Sequence, residues 1–274
     1  VSPSLFSFYI VYLLYPSDPL KTKYCDEFYA AEFAAMGAWG LNTSLFSLES
    51  FQAGSFQTFP AIPTDAIVIY RGWMLSLTDY ESLGAAVSRS GGRLLTDTKT
   101  YLSTHHLPNW YPLISELTPE TRIFPADADL VAELNSLGWN EYFIKDYVKS
   151  LKTSIGSKIL SPEHAAAVIT EMRRFRGNIE GGFCVRRVEK FLSSTEKRYF
   201  VMNSAPCSMH GEIPPIVTQC AACIQSRFFS VDVVERSDGE LRVVEIGDGQ
   251  VSDLVGWTPE RFAKNLADHF GNKN

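Results

Sequence analysis

Hydrophobic positions along this chain change period several times, and each change predicts an element. Ile10, Val11, Leu13 and Leu14 fall in one continuous apolar run, and Ala66-Ile67-Val68-Ile69-Tyr70 form another. Runs this short and this apolar predict parallel strands buried on both faces. Between and after them the period becomes helical. Asp26 to Met36 puts Tyr29, Phe33 and Met36 on one face, with Gly37 as the expected stop. Thr78-Asp79-Tyr80-Glu81 reads as a capping box that opens a helix closing at Gly91-Gly92. Alternation of this kind predicts a small parallel α/β domain over residues 1–105.

The rest of the chain, 106–274, has a different texture. Tyr142 to Lys145 is an aromatic and β-branched run. Gly182 to Leu192 alternates apolar and polar residues, Glu196 to Asn203 reads as the next strand, and Val217 to Ser226 reads as helix. Ser161-Pro162-Glu163 and Thr258-Pro259-Glu260 are both helix starts, with a capping hydroxyl, proline at the first helical position and an acid in the first turn. The first of these helices should stop at Gly177 and the second run to Phe270. Two runs rich in Val, Ile and Phe, Phe228 to Val234 and Leu241 to Ile246, flank Ser237-Asp238-Gly239 and predict a hairpin. The expected class is therefore α/β, passing to α+β in the second half. The boundary is placed near 105–118, at the run from His105 to Pro112.

Composition narrows this picture. Of 274 residues 45% are hydrophobic and 20% charged, which suits a folded globular chain with room for two cores. A net charge of −6 argues against a general nucleic-acid binder, which needs a broad cationic footprint. The opening run from Val1 to Tyr15 lacks a basic leader, and its uncharged stretch is too short to cross a membrane. It reads as a strand ended by Pro16. Five cysteines, an odd number, look like the thiols of a cytoplasmic protein rather than a disulfide framework. Cys220 and Cys223, and the pair His105-His106, have no second pair at metal-ligand spacing and read as structural residues.

The candidate chemistry lies in charged residues that interrupt apolar strands. Asp232 and Glu245 fall on the two paired strands of the hairpin, where an acid is costly unless something cationic meets it. A divalent ion carrying phosphate fits, since Mg²⁺ takes one or two hard carboxylates plus phosphate oxygens; an edge ribbon with two solvated acids is the plain alternative. Lys145 ends the first strand of the second region, followed by Lys149, Lys152 and a Ser, Thr and Gly loop that could wrap phosphate or could be a solvated surface turn. Arg71, in Arg71-Gly72-Trp73-Met74, stands at the carboxyl end of a predicted parallel strand, where ligands bind. It is a candidate for an anionic substrate group or phosphate, or else a structural arginine stacked on Trp73.

The order of these pieces resembles the ATP-grasp superfamily: lysine strand, phosphate loop, helix, hinge strand, acid-x-Arg strand, helix and two-acid hairpin. The ending Val244-Glu245-Ile246-Gly247-Asp248-Gly249-Gln250-Val251-Ser252 is similar to that of the clade named for paired arginines and a lysine. The resemblance implies an ATP-grasp domain over 106–274 preceded by a Rossmann-like domain over 1–105. It implies a carboxylate–amine ligase that works through an acyl phosphate, with ATP and Mg²⁺ as cofactors. A small-molecule or peptide carboxylate and an amine would be its partners, with neither nucleic acid nor membrane involved. In these terms Lys145 holds the α/β-phosphates and Lys149 or Lys152 closes from the loop. Val188 and Glu189 meet the adenosine, and Glu196 precedes Arg198, which neutralises the transferred phosphate. Asp232, Glu245 and Asp248 hold the metal. The family's usual Glu-x-Asn is broken here by Gly247, so Asp248 or water is expected to replace the asparagine. A nucleotide-binding module without turnover, and a kinase on the same fold, are the competing readings.

Overall fold

The computed structural model describes residues 10–148, 150–151, 156–177 and 179–271. Its first sheet contains β1 (Val11–Pro16), β2 (Asn42–Phe46), β3 (Thr58–Phe59), β4 (Ile67–Tyr70) and β5 (Arg93–Leu94), in the order β3-β2-β1-β4-β5. Its neighbours run parallel except for β3, a short antiparallel edge. The connections carry α1 (Ala30–Ala38), α2 (Leu48–Gln52) and α3 (Leu77–Arg89), and α4 (Thr98–His105) and α5 (Leu107–Trp110) follow β5.

Two expected helix boundaries move. The segment from Asp26 opens as a 3-10 turn, Glu27–Tyr29, capped by the Asp26 side chain, and α1 passes through Gly37 to end at Ala38. The chain then reverses at Gly40, whose φ is +73°. Helix α3 starts earlier than Thr78, because Ser76 Oγ accepts from the Asp79 amide and donates to its carboxylate, capping the helix two residues upstream.

The second sheet is antiparallel, in the order β6-β9-β7-β8, from β6 (Thr121–Pro125), β7 (Tyr142–Asp146), β8 (Lys158–Ile159) and β9 (Gly182–Arg187). Helices α6 (Leu130–Leu137) and α7 (Ala165–Arg176) cover it, burying Leu134, Val168 and Met172 against Ile144 and Val185. The third sheet, β11-β10-β12-β13, is also antiparallel: β10 (Phe191–Met202), β11 (Ala205–Cys207), β12 (Phe228–Arg236) and β13 (Leu241–Asp248). Strand β10 takes in Phe191 and Leu192, which the alternating pattern had assigned to the strand before it. Helix α8 (Pro215–Cys223) begins two residues before and ends three residues before the segment expected from sequence.

Helix α9 (Pro259–Phe270) starts as expected, with Thr258 Oγ1 accepting from the Arg261 amide. Its buried face, Phe262, Ala263, Leu266 and Phe270, shares one core with Leu13, Tyr15 and Met36 of the first sheet layer and with Phe200 and Phe228 of the third sheet. All five cysteines are free. No helix among the described residues is long and apolar enough to cross a membrane.

Candidate active site

The hairpin β12–β13 sets the geometry. Its register pairs Asp232 with Glu245, and β10 pairs Arg198 with Asp232, so three charged side chains stand in a row across three adjacent strands. Arg198 donates to both carboxylate oxygens of Asp232, Nε to Oδ1 at 2.7 Å and Nη2 to Oδ2 at 2.6 Å. Its Nη1 donates to the carbonyl of Asp253 at 2.9 Å. Lys145, buried at the end of β7, reaches over from the second sheet and donates from Nζ to Glu245 Oε1 at 3.1 Å. Two basic residues from separate sheets thus meet two acids of one hairpin.

Burial and charge pull these groups in opposite directions. Burial pushes the Asp232 carboxyl above its ordinary range, only partly offset by Arg198. For Glu245 burial also raises the pKa, but Lys145, Arg198 and Arg186 outweigh it and hold the group low. The Glu245 side chain remains 43% exposed, at the wall of a cleft of about 640 Å³ that Arg198, Ser230, Ser252 and Asp253 also line.

Asp248 sits beside this row, not in it. Three residues beyond Glu245, it falls on the opposite face of β13, since successive strand side chains alternate. It is fully buried; its Oδ1 accepts from the amide and Nε2 of Gln250, and its Oδ2 from Thr104 Oγ1. Burial pushes its pKa up to about 7. The residue on the Glu245 face is Gly247, opposite Ser230. A Cβ there would come within 2.9 Å of Ser230 Oγ and 3.0 Å of Ser252 Oγ, and those two hydroxyls bond each other at 2.8 Å. Hydroxyls therefore crowd the position at which the sequence resemblance leads one to expect an asparagine.

Other expected site residues are engaged elsewhere. The Glu189 carboxylate pairs with Arg242, Nε and Nη2 each donating at 3.0 Å, and Arg242 also donates to the carbonyls of Glu116 and Thr118. That arginine thus answers Glu189 and not the hairpin acids. Val188 lies half-buried just past β9, and Glu196 is exposed on β10 two residues before Arg198. Lys149 and Lys152 lie outside the described residues.

Arg71 is not available to an anionic substrate in this arrangement. It is 1% exposed, and its Nε and Nη2 donate to Glu32, both at 2.7 Å. Its Nη1 donates to the carbonyls of Gly249 and Ser252 at 2.5 and 3.0 Å, and its guanidinium lies over Phe262, not Trp73. The side chain braces the tail that follows β13. Gln250 completes the brace, accepting from the Tyr70 amide and donating to the Tyr80 hydroxyl.

Sequence reasoning missed Arg186. Buried on β9, it donates from Nη1 to the Val244 carbonyl at 2.6 Å and from Nη2 to Thr118 Oγ1, while its Nε has no hydrogen-bond partner. Burial pushes its pKa down to about 10 against the pull of Glu245. Its only sequence signal was an arginine at an inward position of an alternating strand.

With the geometry established, comparison with known proteins decides the fold. Residues 135–266 match the family model of an ATP-grasp domain, family 3 of the clade named for two arginines and a lysine. The chain has the ATP-grasp fold. Among solved structures, the D-cycloserine synthetase DcsG is 14% identical with a TM-score of 0.63, over 94% of this chain and 98% of that one. The ATP-grasp ligase PsnB, complexed with precursor peptide PsnA2 and AMPPNP, is 12% identical with a TM-score of 0.61, over 98% and 99%. The D-alanine-D-alanine ligase from Coxiella burnetii is 11% identical with a TM-score of 0.58, over 94% and 93%. No curated protein matches the sequence. These similarities are at the level of the fold, and within that fold the Arg198–Asp232–Glu245 row, Lys145 and Arg186 are among the described charged residues gathered between its two antiparallel sheets.

Proposed function

We propose that the protein is an ATP-dependent carboxylate–amine ligase. The supporting observation is the set of two cations and two acids, Lys145, Arg198, Asp232 and Glu245, brought together from two sheets, with Arg198 and Glu245 lining the cleft. A carboxylate oxygen of the acid substrate attacks the γ-phosphorus as the bond to ADP breaks, giving an acyl phosphate. The amine nitrogen then attacks the acyl carbon, inorganic phosphate leaves, and the nitrogen gives up a proton. Phosphoryl transfer depends on positioning and charge neutralisation, so cations and acids are the required equipment.

In this reading Arg198 turns the N–H groups not taken by Asp232 and Asp253 to the transferred phosphate, and Lys145 holds the α/β-phosphates. Lys149 and Lys152 close from the loop. The backbone beside Val188 and Glu189 meets the adenosine, with the Glu189 carboxylate retained by Arg242. Asp232 and Glu245 present hard oxygens that suit Mg²⁺. Among the described residues no three acids, histidines or cysteines gather as a metal cluster, but Mg²⁺ completes its shell with phosphate and water and needs only two carboxylates. When bound, the ion supplies charge neutralisation at the phosphates. In this reading residues 1–105 select the substrate and residues 106–274 carry the nucleotide.

The test is ADP release from Mg-ATP by the full chain, supplied with amino acids and peptides, with mass detection of the product. An amide-linked product is expected, and Lys145→Ala and Arg198→Ala should each lower turnover at least about 100-fold while the far-ultraviolet dichroism stays unchanged. A phosphorylated metabolite without amide would replace the ligase with a kinase. Nucleotide binding with no ADP release under any mixture would leave a binding module.

A further inference from the structure

The first sheet layer contributes an apolar wall to the same cleft. Phe28, Tyr29, Trp73 and Met74 line it on one side, and Arg198, Glu245 and Asp253 are among the residues lining it elsewhere. Phe28 and Tyr29 come from the 3-10 turn after β1, and Trp73 and Met74 from the loop that leaves β4. Both are carboxyl ends of parallel strands, the edge of an α/β sheet at which ligands are met.

The wall is exposed as well as apolar. Phe28 is 57% and Trp73 40% open to solvent. Large aromatic surface left uncovered inside a cleft gains burial free energy when a ligand covers it. The rings also hold each other in place. Phe28 and Trp73 lie 4.8 Å apart between centroids, Phe28 and Tyr29 5.0 Å, and Tyr29 and Trp73 5.3 Å. At these separations the rings touch, and no cation fits between them as it would in an aromatic cage. The cluster is a preformed surface.

Charge selects further. The acids lining the cleft include Glu245 and Asp253, the carboxylate of Asp248 being turned into the interior, and among the described lining residues the one arginine or lysine is Arg198, already bonded to Asp232. An acidic side chain laid along this wall would lose its water against apolar rings.

We propose that one of the two substrates is an amino acid or peptide end with a large aromatic or aliphatic side chain. That side chain packs on the wall formed by Phe28, Tyr29, Trp73 and Met74, while the reacting carboxylate or amine faces Arg198 and Glu245. The inference rests on the ligase reading for the identity of the reacting groups, but the wall itself is tested without turnover.

The experiment measures binding by calorimetry to the full chain in Mg²⁺ and a non-hydrolysable ATP analogue. N-acetyl-L-phenylalanine offers only a carboxylate and L-phenylalanine amide only an amine; the matching glycine and aspartate compounds serve as comparisons. One phenylalanine compound should bind at least about tenfold more tightly than its glycine and aspartate counterparts, and which one does so assigns the wall to the acid or the amine. Trp73→Ala and Phe28→Ala should each erase most of that preference, Trp73→Phe should restore it, and affinity for the ATP analogue should stay within about twofold. Equal binding of glycine or aspartate compounds, no binding of either phenylalanine compound, or a preference that survives Trp73→Ala would overturn the inference. Failure of the ligase reading is seen separately, as absent ADP release with both phenylalanine compounds and Mg-ATP present.

Discussion

Asp248 and Glu245 lie three residues apart on one strand and occupy opposite electrostatic environments. Glu245 is held low by Lys145 and two arginines, whereas burial carries Asp248 up to about 7. An unfolded aspartate titrates near 3.9. Between about pH 4 and pH 7 the folded chain therefore keeps a proton that the unfolded chain has released, and stability falls as pH rises through that window. A gap of about three units corresponds to roughly 4 kcal/mol. Asp248→Asn retains an oxygen for Gln250 and offers an amide to Thr104, so the variant should gain stability over wild type as pH rises from 5 to 8. Urea titrations at several pH values measure this, and a difference independent of pH would rule it out. The pairing of Asp232 with Glu245 was legible from two apolar runs and a Gly-containing turn. The odd spacing from Glu245 to Asp248 also carried the answer, since strand parity alone sends Asp248 to the other face. Arg186 was not legible, because nothing local marks an arginine whose partners are a carbonyl on β13 and a threonine in the loop before β6.

Among the elements, one local rule was met unevenly: Ser161-Pro162-Glu163, expected as a capped helix start, opens a 3-10 turn, Pro162–His164, with no side-chain cap, and α7 follows from Ala165. Thr258-Pro259-Glu260 capped α9 as expected, while Ser76 displaced Thr78 as the cap of α3 because two hydroxyl residues both satisfied the pattern and only packing chose between them. The hairpin holds a similar conflict at Gly247. A methyl group there would press on the hydroxyls of Ser230 and Ser252, and the expected cost of Gly247→Ala is about 1–3 kcal/mol. Ser230→Ala clears the nearer contact. The double variant Gly247→Ala/Ser230→Ala should therefore be more stable than the two single effects added together, by about 1 kcal/mol. Chemical denaturation of the four proteins of the cycle measures the coupling, and strict additivity would show that the crowding relaxes at no cost.

Across the whole molecule, the Arg71 loop and the tail after β13 were each visible as motifs, but their contact was not. They are 178 residues apart at Arg71 and Gly249, and no periodicity or spacing encodes a side chain that ties one layer to the backbone of another. Arg71→Met should cost about 3–5 kcal/mol, because it strands the Glu32 carboxylate in the interior with only the Tyr15 hydroxyl as donor. Adding Glu32→Gln should recover part of that loss, and thermal melts of the single and double variants compare the two. On the proposed ligase reading both variants should also lose turnover, since the carbonyls of Gly249 and Ser252 lose the donor that fixes the segment lining the cleft. The brace has a further consequence for recombination. On the proposed reading, the part that selects a substrate side chain and the part that carries the nucleotide share the core around α9, and the Arg71 and Gln250 side chains add the polar ties between them. A chimera that borrows residues 1–105 from a different protein of the ATP-grasp fold would then import a foreign grip on this tail. Such a graft should work best when Glu32, Arg71 and residues 249–252 are exchanged as a set together with the α9 residues that pack on Leu13, Tyr15 and Met36, which makes this seam the unit in which new specificities can be transplanted.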